Sequence, residues 1–409
     1  MNVKQKISVA VLALSMWGLG AVIAAGPNPA VSPTPAGLGA VVKPDVYPDF
    51  SWAHVPKYMH VRKSTAFTPE ELRYLAGFPL ITLEKMTGEK DSGSTEEGTL
   101  KAARAIKALN PKVKILYYKN VFVHYEGYQC NKLLSSLQNP FCQDNNGNTK
   151  LVRRKSEAYD LSSSQLRAWW LKNAQEVCSD PAMDGIFLDG IIKVLEPGYL
   201  AKEIGAAKKK EIIDGYHILI KDLSALLGPQ QIRLGNVIRA RFEDGGLGEL
   251  RCHCGSYIEA FETAVGTGSK KEYVAKGLSA FQKAAQSGQI IAYTAGLGDE
   301  VQDETNAQST DEIRKKQSDS KDNGQKRLDY LLAIFLVCAE KYSYFYPHNG
   351  YGAESNPAWK SPWDVFNRPL GPPKGPATRS GYIYRRQFAH ASVTLDQEKE
   401  QGTIEWSVP

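Results

Sequence analysis

Apolar and polar positions along the chain fall into two rhythms that take turns. Eight short runs are continuously apolar or rich in aromatic and β-branched residues: Lys57–Lys63, Leu80–Met86, Val113–Asn120, Met183–Gly190, Gln231–Val237, Ser256–Glu262, Gln289–Thr294 and Tyr342–Tyr346. Between them the spacing becomes that of amphipathic helices, as at Leu100, Ala103 and Ile106. Helices are predicted over 68–77, 94–110, 162–178, 208–227, 270–286 and 327–340. Their starts carry cap chemistry. Thr68-Pro-Glu-Glu71 offers an N-cap, a proline at the first helical position and a glutamate at the third; Ser94-Thr-Glu-Glu97 repeats the box, and Ser162 with Gln165 is expected to cap the third helix.

Eight strands, each followed by helical or irregular cover, imply parallel pairing, and eight is the number at which such a sheet closes on itself. The expected fold class is α/β, a (β/α)8 TIM barrel over residues 49–367. After Arg368 the style changes. Pro369-Leu-Gly-Pro-Pro-Lys-Gly375 reads as a rigid turn, and Gly381–Asp396 with Thr403–Val408 alternate like antiparallel strands, so 368–409 is expected to be a small C-terminal antiparallel β appendage.

The fourth run, Met183-Asp-Gly-Ile-Phe-Leu-Asp-Gly190, ends abruptly on a carboxylate and a glycine. Alternation puts Gly185, Phe187 and Asp189 on one face and Asp184, Ile186 and Leu188 on the other. Asp189 then stands at the carboxyl end of its strand, where parallel α/β folds gather their chemistry, or simply caps the loop that follows. Two long excursions interrupt the alternation. Val121–Tyr159, with Asp144-Asn-Asn-Gly-Asn148 as a turn, has the length of a functional loop; Gly298–Lys326 mixes both charge signs and reads as a mobile excursion or a lid.

Composition narrows the function classes. The 409 residues are 42% hydrophobic and 23% charged, as in ordinary globular proteins. Residues 1–25 have the cationic start, apolar run and small-residue end of a secretory signal, with cleavage expected after Ala24 or Ala25 and an uncleaved anchor as the alternative. Of the net charge of +6, Lys4 and Lys6 belong to that segment, leaving +4 for the mature chain. No basic run is interleaved with aromatics, so nothing calls for nucleic acid, and nothing beyond the signal calls for a membrane. Residues 26–48, carrying six prolines from Pro27 to Pro48, read as an extended linker. Export permits disulfides, with Cys130 and Cys142 the preferred pair. Cys178 and Cys338 read as buried thiols or as partners of the 252–254 segment. Cys252-His-Cys254 matches no common zinc pattern. No metal or cofactor is expected, and the oligomeric state is left open.

In a barrel, the residues at the strand ends are the candidates for chemistry: Arg62, Glu84, Tyr118, Lys119, Asn120, Asp189, Asn236, Glu259, Glu262, Tyr293 and Tyr346. Arg62 and Lys119 could equally be structural ion-pair members. The set is acidic, amide-bearing and aromatic, with no serine–histidine–aspartate order. Two carboxylates at one mouth suit glycoside chemistry, one protonating the leaving oxygen while the other attacks or activates water. Trp359 and Trp363 could stack on sugar rings or seal the barrel. Tyr257, Glu259 and Phe261 share one face of the sixth strand and Glu262 lies on the other; spacing alone does not choose between the two glutamates.

Asp184-Gly-Ile-Phe-Leu-Asp189, Tyr257-Ile-Glu-Ala-Phe261, Arg368-Pro-Leu-Gly371 and Tyr384-Arg-Arg-Gln-Phe388, in that order, resemble the glycoside-hydrolase-like TIM-barrel proteins, especially the hypothetical glycosyl hydrolase family 15, and more distantly the α-galactosidase type of barrel. The resemblance runs from about Lys57 to Val408. It implies catalytic carboxylates at Asp189, as nucleophile or base, and at Glu259, as acid; the strand-end residues Arg62, Glu84, Tyr118, Lys119, Asn236, Tyr293 and Tyr346, with Trp359, remain the candidates to bind a carbohydrate substrate. Ala391 and Asp396 depart from the glycine and asparagine expected there. The function implied is an exported glycoside hydrolase, secreted or periplasmic, acting on an oligo- or polysaccharide. The alternative is a barrel that binds glycan or scaffolds the cell envelope without cleavage; a metal-dependent deacetylase would need a histidine-rich cluster that the sequence lacks. A separation of about 5 to 9.5 Å between the carboxyl groups of Asp189 and Glu259 would suit a glycosidase pair.

Overall fold

The computed structural model describes residues 44–259, 269–297, 321–348, 350–354, 357–361 and 363–407. The signal-like segment, most of the linker, Glu262 and most of the 298–326 insert lie outside the described residues. Strands β1 (Tyr58–Val61), β2 (Leu80–Leu83), β3 (Lys114–Asn120), β4 (Gly185–Asp189), β5 (Ile232–Asn236), β6 (Gly255–Glu259), β7 (Ile290–Gly296) and β8 (Ser343–His348) pair in parallel in chain order. β8 returns to β1 through an isolated parallel bridge, Lys57 to Phe345, with Phe345 N donating to Pro56 O at 2.9 Å. The eight-stranded barrel expected from the alternation is therefore present, nearly closed.

Helices α1 (Pro69–Leu75), α2 (Glu89–Ser92), α3 (Thr95–Leu109), α4 (Ser164–Cys178), α5 (Ile191–Leu195), α6 (Ala201–Ile204), α7 (Ala206–Leu227), α8 (Leu247–Leu250), α9 (Lys270–Gln286) and α10 (Lys321–Cys338) cover the strands. The Thr68 box forms in full: its side chain accepts from Glu71 N, and Glu71 Oε2 accepts from Thr68 N at 2.7 Å. At α4 the cap is Ser163, not Ser162. The Ser162 hydroxyl donates instead to Asp160 Oδ1 at 2.6 Å, which leaves Ser163 to take Leu166 N.

Strand alternation sorts side chains into two cores. Tyr58, Leu80, Leu116, Tyr118, Phe187, Leu234, Tyr257 and Tyr344 fill the barrel, while Ile81, Ile115, Ile186, Leu188, Ile258, Ile291 and Phe345 face the helices. Each fully buried leucine or phenylalanine contributes roughly 2 kcal/mol. So many inward rings need room. A Cβ on Gly185 would stand 2.0 Å from Ile232 O and one on Gly255 2.0 Å from Ile290 O, so these strands approach their neighbours as only glycine allows.

The linker expectation changes at its end. Val46 is buried with the barrel interior, Tyr47 donates to Cys254 O at 3.1 Å, and Pro48 O accepts from Tyr344 at 2.9 Å. Apolar side chains at 46–50 dock where an extended linker was expected. All six cysteines are free thiols, which corrects the expected Cys130–Cys142 bond. Cys130 Sγ lies 3.8 Å from Lys119 Nζ, and the Cys142 thiol donates to Tyr159 O at 3.4 Å, so each is engaged elsewhere.

The appendage is a separate antiparallel sheet, β9 (Thr378–Ser380), β10 (Ile383–Gln387), β11 (Ala391–Asp396) and β12 (Gln401–Trp406), in the order β12-β11-β10-β9. Ala391, Val393 and Leu395 are its buried face. Arg386 donates to Leu336 O and Ala339 O and pairs with Glu340 at 2.7 Å, so the appendage satisfies carbonyls at the end of α10.

Candidate active site

The site is assembled from strand ends. In β4, Phe187 faces the barrel interior, and alternation carries Asp189 onto the same face. Gly190 then turns with φ +81°, where a Cβ would stand 2.3 Å from Asn120 Oδ1. β3 supplies two donors to the same carboxylate. Tyr118 OH donates to Asp189 Oδ2 at 2.7 Å, and Asn120 Nδ2 donates to the same oxygen at 3.2 Å. Asn120 is itself oriented, because its Oδ1 accepts from Phe122 N and Val123 N at 2.9 and 2.6 Å.

β5 joins the two carboxylates. Asn236 Nδ2 lies 3.2 Å from Asp189 Oδ1 and 3.5 Å from Glu259 Oε2, so these oxygens are no farther apart than the sum of the two distances, 6.7 Å. Glu259 shares the inward face of β6 with Tyr257. Tyr351 OH donates to its Oε1 at 2.7 Å and Arg239 to its Oε2 at 3.3 Å. Its side chain is 36% exposed, so it meets solvent at the mouth.

Below and beside the pair lie groups of opposite character. His60 packs centrally, its ring centroid 4.9 Å from Phe187, 5.2 Å from Tyr257 and 4.8 Å from Tyr351. Glu84 holds two buried cations, Arg62 at 3.2 Å and Lys85 more closely. Lys85 Nζ also stands 5.2 Å over the Tyr118 ring and 4.9 Å over that of Tyr125.

These surroundings set the protonation states. Burial pushes Asp189 upward, but Lys193, the Tyr118 hydroxyl, the Gly190 N–H and Lys85 outweigh it and hold its carboxyl below the ordinary value. Burial likewise opposes ionisation of Glu84, and the charges of Lys85 and Arg62 reverse the balance, leaving it low. Burial lowers His60 to about 4, against the pull of Glu84 and Glu259, so it is neutral at pH 7. Burial and the neighbouring Asp189 raise the Tyr118 phenol, which stays a donor.

Of the residues predicted at the mouth, Arg62, Glu84, Tyr118, Asn120, Asp189, Asn236 and Glu259 come together. Four do not. Lys119 alternates outward between Tyr118 and Asn120, donating to Asn173 Oδ1 at 2.6 Å with its ammonium over Tyr128, Trp169 and Trp170. Tyr293 alternates outward between Ala292 and Thr294 and stacks on Phe345 at 5.4 Å. Tyr346 stacks on Phe366 at 4.9 Å, with its hydroxyl bound to that of Tyr74. Trp359 is 7% exposed and packs between Phe67 and Tyr74. Trp363 is half-buried against the main core.

His60, Lys85, Arg239, Tyr257 and Tyr351 were missed. His60 shares the face of β1 with Tyr58, a signal that parity does contain. Arg239 and Tyr351 lie past strand ends, where no period exists to read. Among the described residues no group of three or more His, Cys, Asp or Glu could hold a metal ion, and no helix is long and apolar enough to cross a membrane.

A family model described as hypothetical glycosyl hydrolase family 15 matches residues 107–392. None of the curated proteins matches the chain in sequence. Among solved structures the chain is similar to a variant of the GH36 α-galactosidase AgaA from Geobacillus stearothermophilus, at 10% identity and a TM-score of 0.46, over 85% of this chain and 48% of that one. It is similar to a maltogenic α-amylase, AmyB, from Thermotoga neapolitana at 10% identity and a TM-score of 0.45, over 84% and 86% of the two chains. An α-amylase from Geobacillus thermoleovorans matches at 10% identity and a TM-score of 0.44, over 85% and 87%. The chain spans about half the length of the α-galactosidase.

Proposed function

The chain belongs to the hypothetical glycosyl hydrolase family 15, and from that premise we propose that it is an exported glycosidase that cleaves an oligo- or polysaccharide with retention of anomeric configuration. The observation that carries the reading is the amide of Asn236, shared between a carboxylate ending β4 and another ending β6. Retaining pairs stand about 5–5.5 Å apart and inverting pairs about 6.5–9.5 Å. Sharing one amide, these two oxygens lie within 6.7 Å of each other, which sets the pair within the span of glycosidase carboxylates.

Asp189 is assigned the nucleophile. Three side-chain donors and nearby ammonium groups keep it ionised, and Oδ1, with one donor against two on Oδ2, is the freer oxygen. Attack of Oδ1 on the anomeric carbon forms the glycosyl ester as the exocyclic bond breaks. Glu259, the more solvent-facing of the two, gives its proton to the departing oxygen. It then takes one from water as that water opens the ester and regenerates Asp189. Neutral His60, with Phe187, Tyr257 and Tyr351, supplies a largely apolar floor. Export rests on the signal-like residues 1–25.

The test is hydrolysis of a panel of polysaccharides and aryl glycosides by the full chain, with the anomer first released read by NMR. Retention in the wild type and loss of turnover in Asp189→Asn are expected. Activity surviving in Asp189→Asn would remove the mechanism, and glycan binding with no product would favour a non-catalytic barrel.

A further inference from the structure

Each carboxylate of the mouth is accompanied by a cation that keeps donors open. Arg239, in the loop after β5, donates to Glu259 Oε2 at 3.3 Å and to Ile238 O at 2.9 Å, and the other N–H groups of its guanidinium have no partner among the described residues. The loop holds the residue in place: Arg239 N donates to Gly245 O at 3.0 Å, and Gly245 N to Phe242 O at 3.1 Å. Arg239 is buried, yet its side chain keeps 10% exposure beside a Glu259 side chain that is 36% exposed, so a ligand in the mouth can touch it.

Lys193 is the counterpart at Asp189. It is half-buried in α5, which opens immediately after Gly190, and of the groups that keep Asp189 ionised its charge acts most. Its ammonium makes no hydrogen bond or ion pair among the described residues. The backbone is anchored instead, by buried Lys209, whose Nζ donates to Lys193 O at 2.8 Å. Arg241 pairs with Glu196 at 2.8 Å, which ties the segment carrying Lys193 to the loop carrying Arg239. Charge at the mouth is uneven. Arg62, Lys85, Lys193 and Arg239 stand against Glu84, Asp189 and Glu259, so one positive charge is in excess, and a second appears when Glu259 carries the proton it donates. A carboxylate meets both open cations: its two oxygens match the planar fork of arginine, and an ammonium adds a charge-assisted bond.

We infer that the sugar cleaved at Asp189 and Glu259 is acidic, a uronic acid unit whose carboxylate is held by Arg239 and Lys193. The inference rests on the glycosidase reading and names its substrate class. A neutral hexose would leave both cations facing hydroxyl groups alone, whereas a uronate matches the excess charge with one of its own.

The experiment compares kcat/KM of the full chain for aryl glycosides and polysaccharides of glucose, galactose and mannose, in both anomers, with the matching uronates and with 6-O-sulfated forms as a second anion. The wild type is expected to favour a uronate over its neutral hexose by roughly tenfold to a hundredfold, the weight of a hydrogen bond between charged groups. Arg239→Gln and Lys193→Gln adjoin the catalytic carboxylates and should slow both substrates. The inference is read from the ratio of uronate to hexose, which should fall roughly tenfold in each variant, chiefly through KM, and recover in part in Arg239→Lys. A purely structural role would slow both substrates together and leave the ratio alone. Lys193 makes no side-chain bond, so Lys193→Gln carries the test should Arg239→Gln fail to fold. Preference for the hexose or for the sulfate, or a ratio unmoved in the variants, overturns the acidic-sugar inference and leaves the glycosidase reading in place. A wild-type chain that hydrolyses neither neutral nor acidic glycans overturns both.

Discussion

Tyr118 reaches Asp189 across two strands in parallel register: its Cα is opposite Phe187, and its hydroxyl extends one inward step further to donate to Oδ2 at 2.7 Å. The phenol is held protonated by burial and by the carboxylate it serves. It is thus a fixed donor that keeps Asp189 low.

Replacing Tyr118 with phenylalanine keeps the ring and removes the donor. Asp189 then loses one of the groups that hold it down, and its pKa rises. The acidic limb of kcat/KM should move to higher pH, and turnover at neutral pH should fall roughly tenfold to a hundredfold, the weight of a hydrogen bond to a charged group. A pH profile that does not shift would assign Tyr118 to packing alone.

Asp189→Asn and Glu259→Gln are close to isosteric and remove one charge each. Turnover is expected to fall by roughly 10⁴-fold or more in Asp189→Asn. In Glu259→Gln the loss should be smaller for substrates whose leaving group needs no proton. The contrast between activated and natural substrates, measured in both variants, separates a nucleophile from an acid.

Glu84→Gln tests a structural role. Glu84 is 3% exposed and pairs with both Arg62 and Lys85, so the amide removes one negative charge from beside two buried cations. A loss of about 3 kcal/mol or more in denaturant unfolding is expected. The sign with pH agrees. Because the folded pKa of Glu84 is depressed, its stabilisation is present above the ordinary carboxylate value and is lost as pH falls through the folded one.

His60 and His348 are each lowered by burial to about 4. The unfolded chain takes up their protons near its ordinary value of about 6.5, while the folded chain does not until about 4, so stability declines as pH falls through that window. The expected loss is about 2 kcal/mol per histidine between pH 7 and pH 5, opposed in part by His217, whose pKa is raised by its bond to Glu249. The variant His60→Gln, His348→Gln should flatten this slope in thermal unfolding. An unchanged slope would locate the pH sensitivity elsewhere.

The alternation of strand and helix carried the barrel because each strand has its own pattern and a parallel sheet closes at eight. Strand parity grouped Asp189 with Phe187 and Glu259 with Tyr257, while the choice of Glu259 over Glu262 came from the family resemblance. Applied to every candidate, the same parity would have turned Lys119 and Tyr293 outward, since each sits between two residues that line the mouth. Lys85, Arg239 and Tyr351 were not legible. They lie beyond the strand ends, where side-chain direction is set by tertiary contact and not by a repeat. The cap at α4 slipped by one residue because two serines stand together and only the Asp160 turn decides between them.

The bond from Arg62 N to Tyr351 O, at 2.9 Å, ties the first strand to the last loop, and the same Tyr351 gives its hydroxyl to Glu259. The proposed site is therefore completed by the loop that follows the eighth strand. During synthesis β1 to β7 emerge first, and Glu259 waits for a partner still to be made. On the proposed mechanism, a product truncated before Tyr351 would keep both carboxylates in its sequence and lack the donor that sets one of them.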